Sequence, residues 1–439
     1  MDAFLLVGLG LLGMFVLIGL NVPIGVAMGV AGLVGFGLLA GVQPALALLA
    51  TEPVASLASL DLLVIPLFLL MGNFASASGL SADIYAVAYS FIGHRRGGLA
   101  LATILGSAGF GSICGSSLAT TATMTRVALP EMMARNYRPS FAAGSIAAGG
   151  TLGLLIPPSV IMVIYAYLTE QFVISLFVAA VVPALLAVLL HIVAILVYVA
   201  RNPDAAPAGP RLSGRERLRA LGRAWGAIVL LGGIVGGIYG GVFTVNEAAA
   251  FGAAFAFLFT VARGKLTRQV LMDSLKDTAG NTAMMYVIVI GASIFSYFVS
   301  ASRMSEELVS LLGDSNIAPI MVILALVVMY LILGAVFDST AAMLITLPFT
   351  FPLVVQMGYD PVWWGIVMVM TVEIGMITPP IGMNVFILHS MAPQISLRSI
   401  FSGITAFLWA DLLRLAVLIA VPALALSLPQ WMGLPMGAR

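Results

Sequence analysis

Charge is scarce in this chain. Only 8% of its 439 residues are Asp, Glu, Lys or Arg, against 61% hydrophobic, and the mean hydropathy is +1.13. A soluble domain of this size needs far more charge to cover its surface, which excludes a single large water-soluble core. The 19 basic and 18 acidic residues leave a net charge of +1, so no strongly basic face points to nucleic acid. One cysteine, Cys114, excludes an internal disulfide framework and any multi-cysteine metal site. The three histidines, His94, His191 and His389, lie far apart without ligand spacing. Each reads as an interfacial or helix-packing residue, and no transition-metal site is expected. No Lys or Arg precedes Arg95. The opening MDAFLLVGLGLLGMFVLIGLNVP therefore lacks the basic n-region of a cleaved signal peptide and reads as a retained membrane helix. No G-x-x-x-x-G-K-[ST] stretch suggests an ATPase, and no His/Glu cluster or Ser–His pair at suitable spacing suggests an enzyme.

What is abundant is apolar sequence in runs that reach the roughly 20 residues a bilayer crossing needs. Spans are expected over 3–20, 23–42, 62–78, 141–169, 172–200, 225–243, 246–262, 281–300, 362–390 and 404–427. Two further stretches, 98–133 and 318–357, are each long enough for two short helices and are interrupted by small polar residues. That is the pattern of a re-entrant hairpin, whose irregular tip is tolerated only where protein buries it or a cavity solvates it. With 98–133 entering and leaving on the cytoplasmic side, all but Arg303, Arg414 and Arg439 of the 19 basic residues fall in or beside cytoplasmic segments, as the positive-inside rule requires. The same parity opens 318–357 to the outside. The Pro-rich, charged segment RNPDAAPAGPRLSGRERLRALGR reads as the cytoplasmic connection between two halves, over 201–224.

The halves repeat. Adding 222 carries Ser117 to Ser339, Pro130 to Pro352, Tyr137 to Tyr359, Pro139 to Pro361, Gly153 to Gly375 and Pro157–Pro158 to Pro379–Pro380, without an insertion. Each copy is a hairpin, a Tyr-x-Pro turn and a helix broken at Gly-x-x-x-Pro-Pro. Copies of opposite orientation with broken helices are the architecture of secondary transporters, which bind at the repeat interface near the midplane. The expected fold is an all-α polytopic membrane protein, an inverted repeat with two re-entrant helical hairpins and two broken helices. Its parts are N-terminal scaffold helices (1–97), a first repeat core with the span after it (98–200), the linker, second-half scaffold helices (225–317), a second repeat core (318–403) and a C-terminal span and tail (404–439).

Consecutive prolines inside a span free carbonyl oxygens that must find partners in a bilayer. A hard cation is a suitable one. One cation site per repeat is expected. The first draws on Ser112, Ser116, Ser117, Gly153, Ile156 and Pro158, the second on Asp338, Thr340, Gly375, Thr378 and Pro380. The bland alternative is a kink with small residues that allow close packing. Asp338, a costly carboxylate at membrane depth, either coordinates the ion or caps the helix that follows it, or does both. Glu373, two residues before Gly375, supports the site or binds a proton. Asp411 and Arg414, three apart, suit a structural ion pair. Arg126, with Ser117 and Ser339, is a candidate for the substrate; its guanidinium either holds a carboxylate in a bidentate pair or snorkels to the cytoplasmic surface.

At GSICGSSLATTATM, ALPEMMARNY, AAGGTLGLLIPPSVIMVIY and GMITPPIGMNVFIL, the sequence resembles the large membrane subunit of tripartite ATP-independent periplasmic (TRAP) transporters over essentially its whole length. The resemblance implies a multi-pass protein of the bacterial inner membrane working as an elevator, with both hairpins in a mobile domain. It implies sodium-driven uptake of an organic acid delivered by a periplasmic substrate-binding protein, with Na+ as coupling ion and no other cofactor. It also implies a small four-helix membrane subunit, expected here as a separate chain. The rival readings are a stand-alone ion-coupled anion carrier or proton antiporter of related fold and a passive channel.

Overall fold

The computed structural model describes residues 3–314 and 317–436, and these form helices joined by short turns, with no strand among them. The N-terminal part holds α1 (Ala3–Gly19), α2 (Ile24–Ala40), α3 (Val42–Ala58), α4 (Val64–Ser78) and α5 (Leu80–Ile92). The first repeat follows as α6 (Gly98–Cys114), α7 (Ser117–Ala134), α8 (Pro139–Leu155) and α9 (Val160–Leu168), and α10 (Val173–Arg201) leads out of it. A 3-10 turn (Pro203–Ala205) and α11 (Gly214–Arg223) make the connection to α12 (Trp225–Tyr239), α13 (Val245–Ala262), α14 (Arg268–Ser302) and α15 (Met304–Asp314). The second repeat is α16 (Pro319–Val336), α17 (Ser339–Gln356), α18 (Pro361–Gly375) and α19 (Met383–Met391). Then come α20 (Leu397–Ala420) and α21 (Ala423–Trp431).

The 222-residue offset holds in the backbone. Helices α7 and α17 begin at Ser117 and Ser339, and α8 and α18 begin at Pro139 and Pro361. Proline suits these first positions because its missing N–H is one that a helix start leaves unpaired anyway. Each repeat is thus a helical hairpin packed on a helix that breaks at its Pro–Pro pair.

Small residues set how closely these parts pack. A Cβ on Gly111 would stand 2.6 Å from the Cα of Gly153, seating α6 on α8, and a Cβ on Gly375 would stand 2.7 Å from the Cα of Gly334, seating α16 on α18. Outside the repeats, Gly25 and Gly32 of α2 pack on the backbone at Ile288 and Phe295 of α14. Both helices advance together along this seam, so they run parallel. Small-residue seams of this kind let membrane helices approach backbone to backbone.

Several stretches depart from the expected spans, α15 over Met304–Asp314 among them. Residues 42–58 form α3, absent from the expected spans because Glu52, Pro44 and Pro53 dilute its apolar run. Helix α5 bends 65° from α4, and α11 bends 57° from α12. Both carry a polar face, and the Asp83 carboxylate of α5 pairs with Arg263 at 2.5 Å. Helix α14 begins at Arg268, thirteen residues before the span read from hydropathy, because its first turns carry Asp273, Lys276 and Asp277. The 201–224 connection is docked rather than loose. Ala205 O accepts from Arg138 N at 2.9 Å, Ala206 O from Gly97 N at 3.1 Å, and Gly209 N donates to Gly93 O at 3.0 Å. Ser213 and Glu216 close a capping box at the start of α11.

Candidate functional site

Each hairpin tip lies on the break of its own repeat's helix. In the first repeat the chain turns at Gly115, whose φ of +60° is open to glycine at little cost. A Cβ there would come 3.2 Å from Pro158 O, while one on Gly153 would come 2.9 Å from Ser116 O. Ser116 caps α7, its hydroxyl accepting from Ala119 N at 3.4 Å. Its carbonyl accepts from the Thr120 hydroxyl at 2.8 Å. Of the residues expected here, the structure brings Ser116, Gly153 and Pro158 together. Ile156 caps the end of α8, donating its N–H to Leu152 O at 3.0 Å. The Ser112 hydroxyl is turned to Gly109 O of its own helix at 2.8 Å.

In the second repeat the break wraps the end of α16. Gly382, with φ +62°, donates its N–H to Ala335 O at 3.0 Å, and Gly375 lies on Gly334. Asp338 is the N-cap of α17, its Oδ2 accepting from Thr340 N at 3.0 Å. The capping half of the two-part reading is therefore present. The Thr378 hydroxyl donates to Ile374 O at 2.7 Å within its own turn. Both Pro–Pro pairs contain a cis peptide bond.

Helix polarity gives these junctions a shared electrostatic character. Helices α6 and α16 bring their C-terminal carbonyl ends to the tips, and α8 and α18 bring theirs to the breaks. Partial negative charge from two helix ends thus converges in each repeat, which suits a cation. Helices α7 and α17 start at the tips and offer N-terminal N–H groups, which suit an anion.

The breaks differ in exposure. Pro157 and Pro158 are buried, whereas Pro379 and Pro380 are exposed, as are Phe386 of α19 and Ala119 and Arg126 of α7. Helix α7 runs from the first tip toward Arg135 and Arg138, and α19 from the second break toward Arg398. Arg126 is nine residues past Ser117, about 13 Å along the helix, and its Nε contacts only Ala122 O at 3.5 Å among the described hydrogen bonds. Ser339 is buried.

Two groups of contacts were not foreseen from sequence. Asn384, fully buried in the first turn of α19, exchanges hydrogen bonds with the Ser117 hydroxyl at 2.7 and 2.9 Å. A lone Asn in an apolar run just past Pro–Pro was the available signal. The second group is a buried charge network. Arg414 lies 3.0 Å from Glu373 Oε1 and 2.9 Å from Asp411 Oδ1, with all three side chains at 0% exposure. His191 Nε2 meets the same Asp411 oxygen at 2.8 Å. The Asp411–Arg414 pair is there as expected; Glu373 and His191 extend it across α10, α18 and α20. His191 is accordingly a core residue and not an interfacial one.

A separate cavity of about 640 Å³ lies between α3, α9, α14 and α17. Its lining includes Glu52, Asp61 and Glu170 with Tyr167 and Tyr297, and among the described residues no Lys or Arg. None of the residues expected at the cation or substrate sites lines it.

Paired hairpins seated on paired broken helices, in an apolar helical chain, define a multi-pass membrane transport protein. Residues 11–424 match the family model described as tripartite ATP-independent periplasmic transporter, DctM component. The chain belongs to this family, the large membrane component, and is an integral protein of the inner membrane. It is 36% identical to the C4-dicarboxylate TRAP transporter large permease protein DctM of Pseudomonas aeruginosa, over 85% of this chain and 87% of that one. It is 29% identical to the sialic acid TRAP transporter large permease protein SiaM of Vibrio cholerae, over 87% and 89%. The crystal structure of the Alcanivorax borkumensis YdaH transporter, described as having an unusual topology, shares the fold. Its TM-score is 0.61 at 14% identity, over 90% of each chain.

Proposed function

We propose that the chain is the sodium-coupled, elevator-type permease of a tripartite importer. It takes up an organic acid, for which a C4-dicarboxylate is the first probe, given the P. aeruginosa relative. The solute is delivered by a periplasmic binding protein, and a small four-helix membrane subunit completes the membrane part. The observation that carries this reading is the seating of each hairpin tip on its own Pro–Pro break, Gly115 on Pro158 and Gly382 on Ala335. Sodium ions as co-substrates would be held by carbonyls of the tips and breaks, with Asp338 adding charge at the second site. Each ion crossing a 100 mV potential supplies about 2.3 kcal/mol. The exposed Pro379–Pro380 break fits a state open to the cytoplasm, because irregular backbone at membrane depth requires water or protein beside it.

The test is uptake of labelled succinate into proteoliposomes holding this chain and its small subunit, with and without an inward sodium gradient and the binding protein. Uptake requiring both is expected. The substitution Asp338→Asn keeps a competent N-cap and removes the charge; it should abolish sodium dependence as fully as Asp338→Ala. Uptake indifferent to sodium would overturn the coupling. Uptake independent of the binding protein would favour a stand-alone carrier.

A further inference from the structure

We infer that Asn384 is a positioning residue that couples the two half-sites, so that a cation held at one orders the other. The inference rests on the sodium reading above and adds a path between the ions.

Asn384 stands where three elements meet. Its backbone N–H donates to Met376 O at 3.2 Å, fixing it to the carbonyl next to Gly375 at the second break. Its side-chain amide donates to the Ser117 hydroxyl at 2.7 Å, at the tip of the first hairpin, and to Ala147 O of α8 at 3.3 Å. Its Oδ1 accepts from the same hydroxyl at 2.9 Å. Both Asn384 and Ser117 are shut away from solvent, at 0% and 1% exposure.

Both amide donors and the carbonyl oxygen are thus engaged within the protein. Asn384 has little left to offer a substrate, which sets it apart from a binding residue. It instead joins residues 267 positions apart in sequence that belong to opposite repeats. Ordering of the 376–382 loop around an ion would hold the Asn384 backbone, and its amide would hold Ser117 beside Ser116, whose carbonyl lies on Gly153. Coupling of this kind is reciprocal by thermodynamic necessity. The 222 offset takes Asn384 back to Met162, whose thioether cannot make an amide's hydrogen bonds. Among the described residues, this amide link therefore has no counterpart at the offset-related position.

The experiment is a sodium titration of uptake by the chain with its small subunit, comparing wild type with Asn384→Leu and Asn384→Asp. Cys114 gives a second reading, because it is the only cysteine and lies next to the hairpin turn, with its Sγ 3.6 Å from Ser116 O; it is buried, so its alkylation reports opening of the tip. Sodium should slow alkylation of Cys114 in the wild type. In Asn384→Leu, the sodium needed for half-maximal uptake and for half-maximal protection should rise about five-fold or more, and the Hill coefficient should fall toward one. Asn384→Asp keeps the acceptor for Ser117 and should fall between the two, which serves as the test if the Leu variant does not fold. A variant of unchanged Hill coefficient and sodium requirement, whatever its maximal rate, would overturn the coupling and leave a purely structural Asn. A wild type that neither takes up solute with sodium nor protects Cys114 would overturn the sodium reading itself, and this inference with it.

Discussion

Replacing Arg414 by Leu removes the guanidinium that pairs with two buried carboxylates. Arg414, Glu373 and Asp411 are each at 0% exposure, and the guanidinium stands 3.0 and 2.9 Å from the two acids. Deleting one partner of a buried ion pair costs about 3–5 kcal/mol, because the charge left behind has lost its compensation. His191 still reaches Asp411 at 2.8 Å, so Glu373 is the carboxylate left exposed to the full penalty. An unfolding equilibrium measured in mixed micelles should therefore shift against the native state by about a hundred-fold or more. Adding Glu373→Gln to Arg414→Leu should recover at least about 1 kcal/mol, since the orphaned charge is then gone. Glu373→Gln alone leaves Arg414 with Asp411 and should cost less than Arg414→Leu. An Arg414→Leu variant within about 0.5 kcal/mol of wild type, or a double variant with purely additive loss, would refute the view that these charges act as one unit.

Other substitutions address the site and its surroundings. Gly153→Ala pushes a methyl to 2.9 Å from Ser116 O, and Gly375→Ala pushes one to 2.7 Å from Gly334 Cα; overpacking of this kind costs about 1–3 kcal/mol, and proteoliposome uptake should drop about ten-fold or more in each. Exposed Arg126 packs on little, so Arg126→Gln should leave thermal stability unchanged; if the guanidinium meets the solute, KM rises several-fold while kcat holds, and an unaltered KM would assign it to the cytoplasmic surface. The Ser213 backbone N–H and hydroxyl, donating to Glu216, hold that carboxyl below its usual range. A depressed carboxyl stabilises the fold above its unfolded pKa and ceases to do so as pH falls through its folded one. Amide protection over 214–223, taken relative to the intrinsic exchange rate at each pH, should accordingly fall in acid, and Glu216→Gln should remove that pH dependence.

Sequence periodicity reached the repeats because proline, glycine and tyrosine sit at fixed places in them. The tips at 115–117 and 337–339, and the two Pro–Pro breaks, follow from one offset. Hydropathy was blinder at the edges. It seeks spans, so α3, with Glu52 and two prolines, and the charged first turns of α14 fell below its notice. Helices α5 and α11 lie across the ends of their neighbours and owe their order to contacts such as Asp83–Arg263, which no local pattern announces. At the site the same limit recurs. Ser117 was singled out, but its partner is 267 residues away, and His191 meets Asp411 across 220. Local chemistry nominates polar residues in apolar runs; only the tertiary arrangement says which of them face one another.

The unequal exposure of the two Pro–Pro pairs bears on pharmacology. Pro157–Pro158 is sealed in protein, while Pro379–Pro380 lies open beside Phe386. In the cytoplasm-open state proposed above, a small blocker shaped to that second break would reach it from the cell interior. On that reading it would have to be membrane-permeant, and it would trap the proposed carrier after solute release rather than compete with solute at the outer surface. Compounds screened against whole cells would then sort by permeability first and by fit to the break second.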